Sequence, residues 1–538
     1  MNRTKNITGI LTLGSLLGAC QITDKEPERP NILLITVEDI SPMLGCYGDP
    51  IAKTPVLDQL AKDGVLFTNV FATMGVCAPA RASLITGMYP SSIGANNMRT
   101  SARYLSDGIP PHEAVPPAEV RCYTEFLRAA GYYTTNNDKT DYQFAPPLTA
   151  WDENSRTAHW RNRPDGMPFF SIFNIMTSHE SQIWDRANDP VVIRPEDVIL
   201  PPYFPDTPII RTDVARAHSN NTIMDREVGE IIQQLKDDGL YDNTIIVFYS
   251  DHGGPLPRQK REIYDSGLHV PFIIRFPNNH LAGTTMDELI SFVDIPPTML
   301  SFAGIKPPDY MQGQAFWGEY KTEPRQYIYA ARDRVDSEYD IRRGVRDHQY
   351  KYIRNYRPQV GAYQDVEFRY NIPMMMEMLR MRDEGLLNED QMYYFRTSKE
   401  PEELYDLAID PHELNNIASD PQHASILERM REAHEQWMID IDDKGLMTEK
   451  ELVWSMWPGG IQPETASPTI EQDGEGVTLS SETDGASIAY MINKNTSEPH
   501  KRWLLYHQTL AASQGDTISA VAIRIGYKQS KEVSFILN

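Results

Sequence analysis

Asn31-Ile32-Leu33-Leu34-Ile35-Thr36-Val37-Glu38-Asp39 opens the folded part of the chain. Six apolar or β-branched residues in a row, Ile32 to Val37, without alternation, predict a strand buried on both faces, as in a parallel sheet. The run ends in two adjacent carboxylates. Buried charge is costly unless it is solvated or metal-bound, and the C-terminal edge of an open α/β sheet is where ligands bind. Taken alone, the pair reads as a solvated loop. Further strands are predicted at Val65–Phe71, 169–176, Thr244–Ser250 and 269–277. Helices fall between them. One is opened by Thr54 as cap and Pro55, carries Val56, Leu57, Leu60 and Ala61 on its apolar face, and is closed by Gly64. The others cover 123–130, ending at Gly131, and 213–235, ending before Gly239. The alternation predicts an α/β fold with a largely parallel sheet flanked by helices.

The next informative stretch is Gly75-Val-Cys77-Ala-Pro79-Ala-Arg81-Ala-Ser83-Leu84-Ile-Thr86-Gly87. Positions 80–85 favour helix and Gly87 can stop it. A Cys just before a helix start sits in a positive field, and Arg81 adds a cation on the same face. The plain reading is a buried Cys beside a structural Arg.

The longer pattern resembles more. Cys-x-Pro-x-Arg-x-Ser-Leu-x-Thr-Gly is similar to the signature of the type I sulfatases, of the alkaline phosphatase-like superfamily. The resemblance implies that Cys77 is oxidised by a formylglycine-generating maturation enzyme, and that a hydroxyl of the hydrated aldehyde attacks sulfur. Gly131-Tyr-Tyr-Thr-Thr-Asn-Asn-Asp-Lys139-Thr140-Asp141 resembles the second family signature. Lys139 matches its sulfate-binding Lys. Asp138 replaces a Gly, and Asp141 stands where the family carries a His. Asp141 is expected to act either as a base that resolves the sulfated enzyme or as a brace for Lys139 or Arg81. His179, after the strand at 169–176, matches the family's active-site His and is the expected proton donor to the leaving group, with Lys260 alongside. Ser250-Asp251-His252-Gly253 resembles the second metal-ligand pair. Glu38, Asp39, Asp251, His252 and the Cys77-derived oxygen then form an oxygen-rich set that suits Ca²⁺ better than Zn²⁺. The family begins with two Asp; Glu38 is one methylene longer and is expected either to bind at a shifted angle or to sit behind the ligands. Leu404-Tyr-Asp-Leu407 and Asp410-Pro-His-Glu413-Leu-Asn-Asn416 match the family's smaller C-terminal α+β subdomain.

Of the 538 residues, 41% are hydrophobic and 23% charged, and the net charge is −24. That balance argues against a nucleic-acid partner. It also repels an anionic substrate, so binding needs a locally basic pocket; salt screens the remainder beyond about 8–10 Å. Arg81, Lys139 and Lys260 would supply that pocket. Residues 1–20 read as a signal: Arg3 and Lys5, a short apolar run over 7–17, then Leu17-Gly18-Ala19-Cys20. The last four resemble a bacterial lipobox with Cys20 as the lipidated residue, the plainer alternative being a cleaved signal peptide. Residues 21–30 read as a tether. The expected protein is exported, periplasmic or on the cell surface, and held to the outer membrane only by lipid. Cys46 and Cys122 are left either paired or as two buried thiols.

The expected organisation is a catalytic α/β domain over 31–324, a subdomain over 325–457, a linker over 458–468 and a small β-sandwich over 469–538. The last resembles the C-terminal module of chitobiase-type glycoside hydrolases. Arg332-Asp-Arg-Val-Asp336 and Arg342-Arg343 either read a sugar or form a solvated face. The Met-rich run at 374–381 is expected in packing. The predicted function is a sulfatase acting on a sulfated carbohydrate, ulvan among the candidates. The alternatives are a phosphatase or phosphodiesterase of the same superfamily, and a non-catalytic glycan-binding lipoprotein.

Overall fold

A computed structural model describes residues 29–473, 476–493 and 502–537. Cys20 and the signal and tether up to residue 28 lie outside them. Among the described residues no helix is long and apolar enough to cross a membrane.

The first unit is built on nine strands: β1 (Asn31–Val37), β2 (Val65–Phe71), β3 (Tyr133–Asn137), β4 (Glu153–Asn154), β5 (Phe169–Ile175), β6 (Thr244–Ser250), β7 (His269–Arg275), β8 (Thr284–Met286) and β9 (Ile290–Ser291). Their order is β4-β3-β5-β1-β6-β7-β2-β8, with β9 also on β2. Only β7 runs against the rest, antiparallel to both β6 and β2. β1 is central, with Leu34 opposite Ile172 on one side and Val247 on the other. Its residues alternate between two cores. Ile32 and Leu34 pack with helix α2 (Cys77–Thr86), helix α3 (Tyr123–Ala129) and the helix Ile295–Phe302. Leu33, Ile35 and Val37 pack with helix α1 (Pro55–Asp63) and the helix Pro208–Asp237. Two covered faces are why β1 is apolar without alternation from Ile32 to Ile35. Cys46 and Cys122 belong to these opposite cores and are free thiols.

Two local readings change. Thr54 does not cap α1; its hydroxyl accepts the Gly45 N–H at 3.0 Å and donates to Asp58. Gly64 ends that helix in extended backbone rather than a left-handed turn. Its need for Gly is close approach, since a Cβ there would lie 2.4 Å from the Ile274 carbonyl oxygen. Gly87, by contrast, closes α2 at φ 73°.

A second, antiparallel sheet follows: β10 (Ile328–Arg332), β11 (Arg342–Arg346), β12 (Tyr350–Asn355) and β13 (Glu402–Asp406), in that order. Met430 of the helix Ala424–Asp440 packs on Val345, Tyr352 and Leu404. The Asp410–Asn416 motif works as a clamp. Asn416 accepts the Leu404 N–H, and Asp410 accepts those of Leu414 and Asn415. Glu413 reaches the Asp265 N–H in the catalytic unit at 2.7 Å. Met374, Met375 and Met378 are buried against the helix Pro208–Asp237. The arginines of 332–343 are neither a solvated face nor sugar readers. Arg332 pairs with Asp340 at 3.2 Å; Arg334 forks onto Glu449 at 2.8 and 2.6 Å, and Arg343 onto Asp443 at 2.7 and 2.8 Å. All are buried, where a guanidinium persists only if paired.

The last unit has a hairpin, β14 (Thr469–Asp473) with β15 (Gly476–Ser480). Facing it is a sheet of β16 (Ser487–Asn493), β17 (Leu504–Leu505), β18 (Thr517–Ile523) and β19 (Val533–Ile536), ordered β17-β16-β18-β19. Val477 and Leu479 of the hairpin share a core with Ile488, Ile518 and Ala520 of the sheet, which makes a small sandwich. The stretch 458–468 runs along it: Thr465 N–H donates to Lys528 O at 2.9 Å, and Lys528 N–H to Pro463 O at 2.8 Å.

Candidate active site

Five strand ends deliver one cluster. Glu38 and Asp39 follow β1, and Cys77 follows β2 as the first residue of α2. Lys139 and Asp141 follow β3, His179 follows β5, and Asp251 and His252 follow β6. The reversed β7 explains Lys260. Because β6 ends and β7 begins at the same edge, the segment 251–268 never leaves it, and Lys260 lies on that segment. A left-handed residue, Asp39 at φ 52°, turns the chain just after β1.

Carboxylates and cations interleave around Cys77. Arg81 Nε donates to Asp251 at 3.1 Å, its Nη1 to Asn174 at 2.8 Å, and its Nη2 to Glu38 Oε1. Lys139 Nζ lies 2.5 Å from Glu38 Oε2. Both oxygens of Glu38 are thus engaged by cations. Lys260 Nζ sits 2.6 Å from Asp39 Oδ2 and 3.1 Å from Glu180. Arg261 forks onto the same Glu180 at 2.7 and 2.6 Å. Asn174 passes its amide to Asn136 at 2.9 Å, and Asn136 holds the Lys139 carbonyl at 3.2 Å. This amide chain ties the Arg81 head group and the Lys139 backbone to one frame.

The remaining donors face one point. Asp39 Oδ1 is buried and has no hydrogen-bonding partner. His252 Nε2 stands 3.0 Å from it, 3.6 Å from Asp251 Oδ1 and 3.4 Å from Cys77 Sγ. The other His252 nitrogen lies 3.0 Å from the Gly253 carbonyl, an acceptor, and this is the backing a metal-binding imidazole needs. Burial opposes charge on His252, yet Asp251 and Asp39 hold its pKa well above the usual range. Burial and Glu38 push Asp251 up to about 6. The place therefore calls for positive charge. A hard divalent cation fits it: carboxylate oxygens, one imidazole and one lone buried oxygen point together. Cys77, Asp251 and His252 form one candidate ligand group, and Glu38, Asp39, Cys77 and His179 another.

Cys77 is fully buried, which by itself disfavours a thiolate. Lys139, Lys260 and His252 overcome that and hold its pKa well below the thiol value. The same cations would face any anion placed there. His179 Nδ1 is engaged by Ser181, 3.2 Å from its N–H and 3.1 Å from its hydroxyl, which leaves the other nitrogen to face Cys77. His179 and Lys139 are only partly buried and mark the mouth. Asp141 sits outside that ring, 4.0 Å from Lys139 Nζ and 3.5 Å from Arg99.

Sequence reasoning missed Asn174, Asn136 and Arg261, and singled out Glu180 for nothing. A lone Asn in a strand carries no signal. The only hint of Glu180 and Arg261 is that each adjoins a motif residue, His179 or Lys260.

A constellation of this kind on a largely parallel α/β sheet defines an alkaline phosphatase-like hydrolase. Comparison with known proteins narrows the class. The sulfatase family model matches residues 30–305, and that of the N-sulphoglucosamine sulphohydrolase C-terminal region matches residues 258–380. An ulvan-active sulfatase of Formosa agariphila is 46% identical over 545 residues, 95% of this chain and 91% of that one. Human N-sulphoglucosamine sulphohydrolase is 25% identical over 512 residues, 85% and 96% of the two chains. One solved structure, in complex with its substrate D-glucosamine-2-N,6-O-disulfate, superposes with a TM-score of 0.57 at 17% identity, covering 79% of this chain and 100% of that one. The phosphonate monoester hydrolase of Agrobacterium radiobacter does so at 0.53 and 18%, covering 84% and 100%. These two show the shared fold. The chain belongs to the sulfatase family and is a sulfuric ester hydrolase.

Proposed function

We propose that the protein removes sulfate esters from a sulfated polysaccharide or its fragments, with ulvan as the candidate, and that Cys77 is oxidised to formylglycine as its nucleophile. The observation that carries the reading is the convergence of Arg81, Lys139, Lys260 and His179 on Cys77. The ulvan-active relative supports the substrate. When present, formylglycine offers an attacking hydroxyl. The proposed metal is Ca²⁺. Asp39, Asp251 and His252 would hold it, with the Cys77-derived oxygen and with Glu38 behind them, and it would add positive charge facing the sulfate.

The chain's own residues do the rest. Arg81 and Lys139 bind sulfate oxygens and oppose the charge that builds on them. Glu38 anchors both head groups, and the Asn174–Asn136 chain links the Arg81 head group to the Lys139 backbone. A sugar alkoxide is a poor leaving group, and His179 gives it a proton from the nitrogen that faces Cys77. Lys260, held by Asp39 and Glu180, keeps a fixed charge beside that transfer. Asp141 acts as a brace for Lys139. This local set answers the repulsion expected from a net charge of −24.

The test is sulfate release from ulvan fragments by enzyme produced with a formylglycine-generating partner. Wild type should release sulfate, and Cys77→Ala should fold normally and lose nearly all turnover. Release by Cys77→Ala near the wild-type rate would end this reading. For localisation, the proposal is an exported lipoprotein anchored through Cys20. Labelling with a fatty-acid probe should mark the wild type in the membrane fraction but not Cys20→Ala; equal labelling would contradict it.

A further inference from the structure

The terminal sandwich and the catalytic unit together wall a cleft of about 500 Å³. The sandwich contributes Arg502 and Trp503, just before β17; the catalytic unit contributes Leu148, Asp152, Glu153 and Asn154, before and along β4. Arg502 and Trp503 lie beyond both family-model matches, which end at residue 380. The floor is fixed. Buried Arg128 donates to Asp152 Oδ1 at 2.9 Å and to the Trp503 carbonyl at 2.8 Å, and Asp152 Oδ2 accepts the Thr134 N–H at 2.9 Å. Arg128 thus neutralises Asp152. Glu153 is engaged by Asn162 at 2.8 Å and by Tyr133. Arg502 stands 3.7 Å from Asp152, its guanidinium 5.2 Å from the Tyr133 ring centre, and among the described residues it donates no hydrogen bond. In a chain of net charge −24, that is a cation with donors to spare. Trp503 packs on Ala489, Val521 and Ile523 of the sandwich while lining the cleft. Leu148 is 39% exposed. Asn154 is exposed, and its Oδ1 accepts Asn136 Nδ2 at 2.8 Å, which leaves its own amide hydrogens outward. An indole, an aliphatic side chain and free guanidinium and amide donors suit an acidic saccharide unit. The sugar's apolar face meets the aromatic ring and its anionic group meets the guanidinium.

The cleft follows the outer edge strand of the first sheet. Arg502 lies over Tyr133 at the start of β3, and Asn154 pairs with Asn136 toward its end, three residues or about 10 Å on. Asn136 in turn holds the Lys139 carbonyl at 3.2 Å. A polymer with one sulfate at Lys139 can reach Arg502 along this edge. We infer that the sandwich completes a second binding site, for an acidic saccharide unit of the same polymer remote from the ring that reacts. Holding the chain at two points raises its effective concentration at the first, which gives the sandwich a task. The inference deepens the glycan reading above and rests on it.

The test uses the full chain and compares wild type, Arg502→Gln and Trp503→Ala on three substrates. These are long ulvan chains, the shortest ulvan fragments that the wild type desulfates, and a small aryl sulfate, which fills the active site alone. Trp503 also packs within the sandwich, so Trp503→Ala can loosen it; Arg502→Gln removes no hydrogen bond within the described fold and should fold as wild type. A charge-assisted hydrogen bond at a half-exposed position is worth about five- to tenfold. Arg502→Gln should raise KM for long chains by about that factor with kcat unchanged, and Arg502→Lys should restore part of the loss. The shortest fragments and the aryl sulfate should keep kcat/KM within about twofold. Retardation of the Cys77→Ala chain in ulvan-containing gels should weaken when Arg502→Gln is added. Unchanged KM and retardation would overturn the second site. An equal loss on the shortest fragments or the aryl sulfate would overturn it too, because the residue would then act at the reacting ring or on the fold. A wild type that hydrolyses aryl sulfate but releases nothing from ulvan of any length would instead strike down the glycan reading, and the second site with it.

Discussion

Arg81 illustrates how the site is made at the scale of single residues. Its three donating nitrogens meet Asp251, Asn174 and Glu38, so the guanidinium has one orientation. Glu38 binds Arg81 with one oxygen and Lys139 with the other. Shortening it to Asp should therefore misplace both cations rather than empty a metal site. We expect Glu38→Asp to lower kcat/KM by about 10- to 100-fold, as an ångström of misplacement does, with bound-metal content per chain unchanged by elemental analysis. Loss of metal would make Glu38 a direct ligand. Asp141 lies 4.0 Å from Lys139 and also faces Arg99. A brace predicts that Asp141→Asn raises KM by a few fold without accumulating a sulfated Cys77 peptide. Accumulation of that species would assign it the resolving role instead.

Much of this was legible because the residues sit in motifs at strand ends. Cys77, Arg81, Lys139, His179, Asp251 and His252 were all placed by pattern. The partners of those residues were not. Glu180 and Arg261 matter through a pairing made in three dimensions, and nothing in their spacing announces it. The arginines at 332–343 misled for a similar reason. Charge in a sequence reads as surface, whereas these four are buried with Asp340, Glu449, Asp443 and Glu403 for partners.

At the scale of elements, the segment 251–268 is the unusual part. It folds back on itself, with Gly253 N–H on Gly267 O at 2.9 Å and Gly254 N–H on Ser266 O at 3.1 Å. A Cβ at Gly267 would lie 2.3 Å from Gln259 O and 2.4 Å from Glu262 O, both backbone atoms. Gly267→Ala should cost more than about 2 kcal/mol in chemical denaturation and also depress activity, because Lys260 is carried on this segment. Gly239→Ala makes the control: at φ 68° with open space around it, it should cost only about 1 kcal/mol. Similar losses in the two would contradict the packing argument.

The helix Ala424–Asp440 carries a second element-scale consequence. Its buried His434 faces Arg343, Arg354, Asp443 and Glu402, and burial together with the two arginines lowers its pKa to about 4. The unfolded chain takes up that proton near pH 6.5. The contribution to stability is thus complete above about pH 6.5 and falls as the pH drops toward about 4, by roughly 3 kcal/mol at most. His434→Gln should flatten that part of the stability profile in urea titrations; an unchanged slope would assign it to other groups. The strand pattern was readable here because apolar runs are local. The reversal of β7 was not, since direction is set by pairing and not by composition.

For the whole molecule, the terminal sandwich is docked rather than tethered. Arg524 donates to Pro116 O, Arg128 to Trp503 O at 2.8 Å, and Trp457 Nε1 to Gly526 O at 3.2 Å. A Cβ at Gly526 would stand 2.3 Å from Ala114 O. Gly526→Leu should lower Tm by several degrees and leave aryl sulfate turnover near wild type, because the clustered site residues all come from the first sheet's edge. A Tm unchanged by scanning calorimetry would show that the interface does not contribute.

The most direct measurement is mass spectrometry of the Cys77 peptide from active enzyme, made with a formylglycine-generating partner. The account predicts an aldehyde in place of the thiol, with specific activity rising in proportion to the converted fraction. Full activity with an unmodified Cys77 would contradict it.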